Sequence, residues 1–429
     1  MLGMRPETFN NQAGMMVSGT MRSYADREAP QPETGLLIVV SAAHLVSHFY
    51  IMVLPVLIPL LKDRLGVGFF EIGLALTTFN VVTGLTQAPM GFLVDRTGPR
   101  LMLMAGLCLG GMAFILLGLW TSYPVLIGAA LFAGLANCVY HPADYALLAD
   151  AIPDHRVGRA FSVHTFAGFA GGALAPPILL GVAAYAGLAA ALLSAGLVGP
   201  AVAGLLLMWG KVEAAPHNRA RAAAAAGKRA SWGVLNASII GLTGFFTLLA
   251  LSSGGIQSFS VVALLATQDV TLASANVALT AYLGCAAIGV LAGGFLADRT
   301  AYHGYVAALG FGLTTAIVAG IAVLSLPASL IIGGLGLAGF LSGIIMPSRD
   351  MLVRKAAPPG MVGRAFGIVS TGFNIGGIIG PLLFGWIMDN ASPRWVFGAS
   401  AALMAVTAAF GIGSEHRARQ RLAAQVSAR

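Results

Sequence analysis

The chain has 429 residues, of which 57% are hydrophobic and only 9% are charged, and its mean hydropathy is +0.84. A soluble protein of this length needs charged residues for about a quarter of its sequence, so the composition excludes an ordinary soluble domain and indicates that lipid surrounds much of the surface. The formal net charge of +8 does not indicate nucleic-acid binding, because the basic residues lie between apolar runs and in the tails rather than in one patch.

Apolar runs of membrane-spanning length follow one another along almost the whole chain. A run of about 20 apolar residues crosses a bilayer as a helix. The longest run contains Ser252-Ser253-Gly254-Gly255, which predicts a tilt or break there. The sequence therefore predicts an all-α membrane protein with twelve spans: 36–61, 70–94, 101–120, 124–149, 160–182, 186–209, 233–266, 274–297, 304–325, 329–352, 363–388 and 395–413.

The basic residues predict the orientation of these spans. With the N-terminus in the cytoplasm, 20 of the 24 Lys and Arg residues lie in cytoplasmic segments, and only Lys62, Arg64 and Arg394 lie on the opposite side. Cytoplasmic loops carry an excess of Lys and Arg. We therefore expect a multi-pass protein of the inner (cytoplasmic) membrane with both termini in the cytoplasm.

One motif occurs after span two and again after span eight. The first copy is Gly91-Phe-Leu-Val-Asp95-Arg96-Thr-Gly98-Pro-Arg100, and 203 residues later the chain reads Gly294-Phe-Leu-Ala-Asp298-Arg299. The stretch 157–161 also recurs at 362–366, an offset of 205 residues. Several matches in order at nearly one offset indicate two similar halves.

These boundaries divide the chain into five segments. We predict a disordered cytoplasmic N-terminal tail (1–34), a six-helix half (35–210), a basic cytoplasmic linker (211–232), a second six-helix half (233–413) and a basic cytoplasmic tail (414–429).

The twelve spans, the two halves, the central linker and the motif after span two together resemble the major facilitator superfamily. Three stretches are similar to the fosmidomycin-resistance type of exporter within it: Ala43-His44 with Tyr50, Gln87-x-Pro89-x-Gly91, and Gly134 to His141-Pro142. The resemblance implies a transporter rather than an enzyme, working by alternating access, with spans one, four, seven and ten lining the cavity.

The resemblance also implies a gating role for the repeated motif. Asp95 would face the start of span eleven near Gly363, and Asp298 the start of span five near Gly158, because helix N-termini offer unpaired N–H groups to a carboxylate. The arginines would latch neighbouring loops when the cavity is closed to the cytoplasm: Arg96, Arg100 and Arg299. The alternative is a basic turn that only sets orientation.

Ionisable residues inside spans are the strongest indication of a site, because each costs several kcal/mol unless it is paired or used. Seven are singled out: His44, His48, His141, Asp144, His164, Arg349 and Asp350. Asp144 and Arg349 lie 205 residues apart, so we predict that they pair across the cavity. The alternative is that each reaches the cytoplasmic headgroups.

Several chemistries are open to these side chains. Histidine titrates near physiological pH, so His48, His141 and Asp144 are candidate proton carriers; the alternative for each histidine is a neutral, hydrogen-bonded core residue. Gln87 and Gln257 are candidate hydrogen-bonding partners for a substrate, or else bond helix to helix. We expect no metal site, because no cysteine supports one and the side chains need not converge.

The function predicted from these features is proton-coupled export of a drug-like compound or metabolite. The alternative is proton-coupled uptake of an organic anion bound by Arg349. The glycine-proline pattern in span five resembles the antiporter motif of drug exporters. Departures from the relatives, such as His48 in place of an acid and Ala130 in place of an arginine, leave the substrate open. We expect a monomer without a cofactor, and no phosphate loop for ATP is present in the sequence.

Overall fold

The computed structural model describes residues 32–152, 154–208, 236–300, 302–357 and 362–427, and every element that they form is an α-helix. The run Asp154–Met208 has two arms, which we label α5 (154–186) and α6 (188–208). The other helices are α1 (Pro32–Leu65), α2 (Phe69–Thr97), α3 (Pro99–Leu119), α4 (Tyr123–Ala151), α7 (Ala237–Thr267), α8 (Leu272–Arg299), α9 (His303–Val323), α10 (Ala328–Ala356), α11 (Val362–Asn390) and α12 (Trp395–Ser427).

The junction between α5 and α6 is a single glycine. Gly187 has φ 83° and ψ 173°, a backbone conformation that residues with a side chain rarely adopt. Gly171 of α5 contacts Leu45 of α1, and Gly199 of α6 donates its N–H to Tyr50 of the same helix. Positions 45 and 50 are only about 7.5 Å apart along α1, so α6 folds back beside α5. The predicted loop at 183–185 is therefore replaced by one sharp turn.

The helices have the length and composition of membrane spans. Eleven helices of the described residues meet both criteria, counting 160–208 as one helix of 49 residues. Forty-nine residues extend about 74 Å, whereas the hydrocarbon core is about 30 Å thick. Because Gly187 folds this run into two arms, the chain crosses the membrane twelve times, as predicted.

Two features of the predicted helices differ from the structure: a break inside one span and the end of the last one. Helix α7 continues through Ser252–Gly255 without a break, because the serine hydroxyls bond back to the Leu249 carbonyl and Gly255 packs against Phe384. Helix α12 continues to Ser427, through most of the predicted tail. The predicted linker and residues 1–31 of the predicted N-terminal tail lie outside the described residues.

The first six helices and the last six pack in similar ways and meet mainly along two helix pairs. Helices α2 and α3 pack on α4 among the first six, as their equivalents α8 and α9 pack on α10 among the last six. The two sets meet where α2 packs on α11 and where α5 packs on α8. Glycines allow these contacts, since a Cβ on Gly73 or Gly385 would collide with the backbone of the partner helix.

The α2–α11 contact closes one end of the molecule. The Asp389 carboxylate accepts hydrogen bonds from the N–H groups of Phe69 (3.0 Å) and Phe70 (2.7 Å), at the start of α2. Thr77 Oγ1 donates to the carbonyl of Ile378 at 2.9 Å. The Asp389 bonds join the end of α11 to the start of α2. We call this end of the molecule, which carries the α1–α2 and α11–α12 loops, the closed end.

The opposite end, which carries the α2–α3 loop, is more open. Among the described residues, nothing lies within 4 Å of a Cβ built on Gly91, Gly294 or Gly367. Asp95 and Arg96 are exposed. The described contacts between the two sets of helices, such as Gly84 against Asn374 and Asn276 with Pro176, lie away from the α2–α3 loop. We call the end with this loop the open end.

Candidate functional site

Four histidine rings from α1, α4 and α5 lie against one another. The His44 ring stacks on the His164 ring with centroids 3.9 Å apart and an interplanar angle of 11°. Its centroid is 4.7 Å from that of His48 and 5.3 Å from that of His141, both edge-on. The structure thus brings together all four histidines that were singled out inside the spans, and we call them the histidine cluster.

Glycine on α5 provides the space that this cluster occupies. His44 and His48 lie one turn apart on the same face of α1. A Cβ on Gly168, one turn after His164, would lie 2.9 Å from Nδ1 of His44 and 3.0 Å from Cδ2 of His48. Gly171 likewise lies against a backbone carbonyl of α1. The cluster therefore depends on small residues at helical spacing as much as on the histidines.

A hydrogen bond orients the central ring. The Nδ1–H group of His44 donates to the backbone carbonyl of His164 at 2.7 Å, because a carbonyl oxygen can only accept. In the neutral ring this leaves Nε2 with a lone pair. His44 is only 4% exposed, and its Nε2 has no hydrogen-bond partner among the described residues. His48 and His141 are partly exposed, so the cluster is open on their side.

Asp144 lies behind the cluster and is fully buried. Its Oδ2 is 3.7 Å from Nε2 of His164, whose side chain is also fully buried. This distance is too long for a hydrogen bond, and neither carboxylate oxygen has a hydrogen-bond partner in the described part of the chain. A buried carboxylate without hydrogen bonds is costly as an anion. Asp144 and His164 therefore form a buried pair of titratable side chains that are close but not hydrogen-bonded.

Arg349 has aromatic and acidic neighbours within the last six helices. Its Nε and Nη2 lie 2.9 Å and 2.8 Å from Oδ1 of the adjacent Asp350. Its guanidinium carbon lies 4.8 Å from the ring centroid of Phe246 and 5.2 Å from that of Phe373. The arginine is thus held between α7 and α11 by an ion pair and two cation–π contacts.

The predicted Asp144–Arg349 pair is not formed in this structure. Each residue has a different partner: His164 faces Asp144, and Asp350 binds Arg349. The sequence offset identified equivalent positions on α4 and α10, but equivalence does not require contact. Asp350 neutralises Arg349 within α10, whereas Asp144 has only the His164 ring facing it, at 3.7 Å.

The two candidate glutamines are separate from the cluster. Gln87 on α2 and Gln257 on α7 are both partly exposed. No contact between either amide and the histidine cluster is found in the described part of the chain. Their predicted role as substrate contacts stays a prediction.

The repeated motif is described only in part. Gly98 has φ 95°, which favours glycine, and its N–H caps α2 at the Val94 carbonyl. Arg100 donates to the carbonyls of Leu206 and Leu207, at the C-terminal end of α6. Arg299 is exposed. The surroundings of Gly158, Asp298 and Gly363 lie outside the described part of the structure. The predicted contacts of Asp95 and Asp298 therefore stay predictions.

Sequence reasoning missed three aromatic residues at these sites. Tyr145 lies beside the histidine cluster, with its ring centroid 5.7 Å from that of His141 and 5.8 Å from that of His164. Phe246 and Phe373 enclose Arg349. The available signal for Tyr145 was its position one turn after His141 on α4, whereas the two phenylalanines come from distant helices.

Comparisons with known proteins agree with this architecture. The family model of the Major Facilitator Superfamily matches residues 40–270 and 240–427. The fosmidomycin resistance protein of Escherichia coli (strain K12) is 25% identical over 388 residues, covering 86% of this chain and 90% of the relative. The chloramphenicol resistance protein of Streptomyces lividans is 28% identical over 399 residues, covering 87% and 94%.

A solved structure shares the fold. The bacterial homologue of the human lysosomal transporter Spinster, in an inward-facing and occupied conformation, superimposes with a TM-score of 0.75 at 14% identity, covering 89% of this chain and 96% of that one. At this identity the likeness shows the fold alone. The family model, however, spans both sets of helices, and the chain belongs to the Major Facilitator Superfamily, whose members are transporters and not enzymes.

Proposed function

We propose that this transporter exports a small drug-like molecule or metabolite in exchange for protons, and that Asp144 carries the proton. The single observation behind this proposal is the fully buried Asp144 carboxylate, 3.7 Å from His164 and without a hydrogen bond in the described part of the chain. Ionisable groups inside membrane spans are costly and mark ion or proton pathways.

The proposed proton step involves the carboxyl oxygens of Asp144. When the site opens toward the more acidic side, Oδ2 takes up a proton and the carboxyl becomes neutral, which lowers the cost of its burial. When the site opens toward the other side, the proton leaves and the carboxylate is stabilised by the facing His164 imidazole. The proton is then carried inward on one half of the cycle, and the substrate is carried outward on the return movement.

The proposed movement uses the two helix sets as rocking bodies, residues 35–210 and 233–413. Their contact surfaces, α2 on α11 and α5 on α8, are rich in small residues that let backbones slide closely. The closed end is held by hydrogen bonds between helix ends, such as those from the start of α2 to the Asp389 carboxylate. A rocking motion would break these bonds.

We also propose that the open end faces the cytoplasm. The α2–α3 loop and most basic residues lie on this side, as cytoplasmic loops do. The protein would then lie in the inner membrane as a monomer with both termini in the cytoplasm, in an inward-facing state like that named for the Spinster homologue.

The repeated motif is proposed as the gate at this end. In the inward-facing state its acids and bases are expected to be separated from their partners, which agrees with the exposure of Asp95 and Arg96. On closure, Asp95 would reach the N-terminus of α11, where the helix dipole favours a negative charge, and Asp298 would do the same at α5.

Export of a drug-like compound is supported by the relatives. The two relatives that align over most of the chain are named for resistance to fosmidomycin and to chloramphenicol. Resistance by a transporter requires movement of the compound out of the cell. The open, partly exposed side of the histidine cluster would receive such a compound from the cytoplasm.

The proposal is tested by proton movement in liposomes that contain the purified protein and a pH-sensitive dye. A pH gradient is imposed, and pools of candidate compounds are added. The intact chain is compared with Asp144→Asn, and Asp269→Asn serves as the control because this acid is exposed in the α7–α8 connection. We expect a compound to trigger proton movement in the intact chain and the control, and only background movement in Asp144→Asn.

Two results would contradict the proposal in different ways. Substrate-triggered proton movement that is unchanged in Asp144→Asn would remove Asp144 as the carrier. Substrate flux without any proton movement in the intact chain would show a uniporter or an exchanger, and would remove proton coupling altogether.

A second candidate function is proton-coupled uptake of an organic anion. The observation that favours it is Arg349, which is partly buried between Phe246 and Phe373 and carries a charge that cannot be neutralised by deprotonation. This function predicts that Arg349→Gln removes anion binding from a protein that still folds. Normal anion binding by Arg349→Gln would exclude it.

A further inference from the structure

We infer that His44, His48 and His141 form a binding site for a divalent transition-metal ion of the Zn²⁺, Ni²⁺ or Co²⁺ class. This goes beyond the proposed proton coupling, because Asp144 is not a member of the site. It also reverses the expectation of no metal site from the sequence, which rested on the side chains not needing to converge, because three of them lie together here.

The first argument is the arrangement of the ligand atoms. One nitrogen from each of the three rings lies within 4.8 Å of the other two. A tetrahedral site with metal–nitrogen distances of about 2.0–2.1 Å needs nitrogens about 3.4 Å apart. Rotations of side chains that move the widest pair closer by about 1.4 Å complete the site without a change of the helices.

The second argument is that the central ligand is already oriented for a metal. The Nδ1–H of His44 is held by the His164 carbonyl at 2.7 Å. Metal-binding histidines characteristically donate their second ring nitrogen to a carbonyl or carboxylate, which fixes the tautomer and the ring direction. The remaining Nε2 lone pair is buried and has no protein partner among the described residues. A metal ion would satisfy it.

The third argument is the composition of the site. Three imidazoles without a thiolate suit Zn²⁺, Ni²⁺, Co²⁺ or Cu²⁺, whereas Mg²⁺ and Ca²⁺ prefer oxygen ligands. His48 and His141 are partly exposed, so a fourth position is accessible to water or to another ligand. A site with an open position can bind a water or a further ligand on the metal, unlike the closed four-ligand sites that only stabilise a fold.

The experiment is titration of the full chain with Co²⁺, after purification in detergent and removal of any polyhistidine tag. Visible absorption reports the coordination of bound Co²⁺, and equilibrium dialysis gives its stoichiometry. We expect one Co²⁺ per chain, and we expect His48→Gln and His141→Gln each to weaken binding at least about tenfold. His416→Gln serves as the control, because His416 is exposed on α12.

A second pair of variants changes no ligand atom. Gly168→Ala places a Cβ within 3.0 Å of the His44 and His48 rings, whereas Gly172→Ala, one turn further along α5, meets only Met52 at 3.9 Å. We expect Co²⁺ binding to weaken in Gly168→Ala and to stay unchanged in Gly172→Ala. This pair tests the site even if the histidine variants fold poorly.

The outcomes separate this inference from the proposed function. Absence of Co²⁺ binding by the intact chain, or binding of equal affinity in the His48→Gln/His141→Gln double variant, would overturn the metal site. Asp144→Asn is expected to keep its Co²⁺ affinity. Because the titration is made at equilibrium without a gradient, failure of proton coupling leaves its result unaffected.

Discussion

The surroundings of Asp144 and Arg349 show how the two sets of six helices differ at equivalent positions. These residues lie 205 residues apart, on α4 and α10, the offset that also relates 157–161 to 362–366. Asp144 faces an imidazole that can lose its charge, and neither oxygen is hydrogen-bonded to a described residue. Arg349 is bound by Asp350 and enclosed by two phenylalanines.

The same offset explains why a histidine cluster exists in only one of the two sets. Gly168 on α5 corresponds to Phe373 on α11. Gly168 leaves the space that two histidine rings occupy, whereas the Phe373 ring fills the equivalent region and covers the Arg349 guanidinium. One side therefore holds groups that change charge, and the other holds a permanent charge.

The two sets of helices therefore share a backbone arrangement, but the side chains at equivalent positions have different chemistry. If the proposals are correct, protons and metal ions belong to the first set of helices and attraction of anionic groups belongs to the second. Three groups of substitutions test how far the similarity and the difference extend.

The largest effect is expected where the two sets are alike. Gly171 lies against the Leu45 carbonyl, and its equivalent Gly376 would place a Cβ 2.8 Å from the Thr247 carbonyl. Alanine at either glycine is expected to destabilise the protein by about 1–3 kcal/mol through overpacking. Thermal unfolding in detergent measures this.

The matched controls are alanines at glycines with more room. Gly172 and Gly380 would meet only a side-chain atom, at 3.9 Å and 3.8 Å respectively. Alanine there is expected to be neutral or to stabilise the helix by up to about 1 kcal/mol. Equal unfolding temperatures for Gly171→Ala and Gly172→Ala would contradict the close packing of α1 on α5.

A smaller effect is expected from Asp350→Asn, which addresses the difference between the sets. The substitution removes the negative partner of Arg349 and leaves the guanidinium free for an anion. A carboxylate probe such as benzoate is expected to bind about tenfold more tightly, the contribution of one charge-assisted hydrogen bond. Binding is measured by calorimetry.

The same variant is expected to leave substrate-triggered proton movement unchanged, because Arg349 takes no part in the proposed proton step. Loss of proton movement in Asp350→Asn would show that the two regions act as one site. Unchanged benzoate affinity would argue against an anion subsite at Arg349.

The smallest effect is expected at the closed end. Asp389→Ala removes the acceptor for the N–H groups of Phe69 and Phe70, and the loss of such a cap costs about 1 kcal/mol. The equilibrium should shift about fivefold toward the state that is open at this end. Distances between spin labels on the α1–α2 and α11–α12 loops report the shift.

Asn390→Ala is the control for this variant, since among the described residues its amide bonds to the Trp386 carbonyl of the same helix, at 3.1 Å. Equal distance distributions in Asp389→Ala and the intact chain would show that this contact does not hold the closed end together.

The amino-acid sequence alone determined the class and number of helices. Continuous apolar runs long enough to span a bilayer as helices form helices there, because lipid offers no hydrogen-bond partners and a helix bonds its own N–H and carbonyl groups within the segment. The sequence determined the ends of the individual helices less well. The end of α12 and the turn at Gly187 lie in stretches whose hydropathy does not change where the helix does.

The sequence also identified the ionisable residues of the site, because charged and titratable groups are rare inside spans. Their partners were decided by the tertiary structure. Whether His44 meets His164 or Asp144 meets Arg349 depends on how α1, α4, α5 and α10 pack. That packing depends on which glycines admit a neighbouring backbone or ring, and contacts between distant helices leave no periodic signal in one chain.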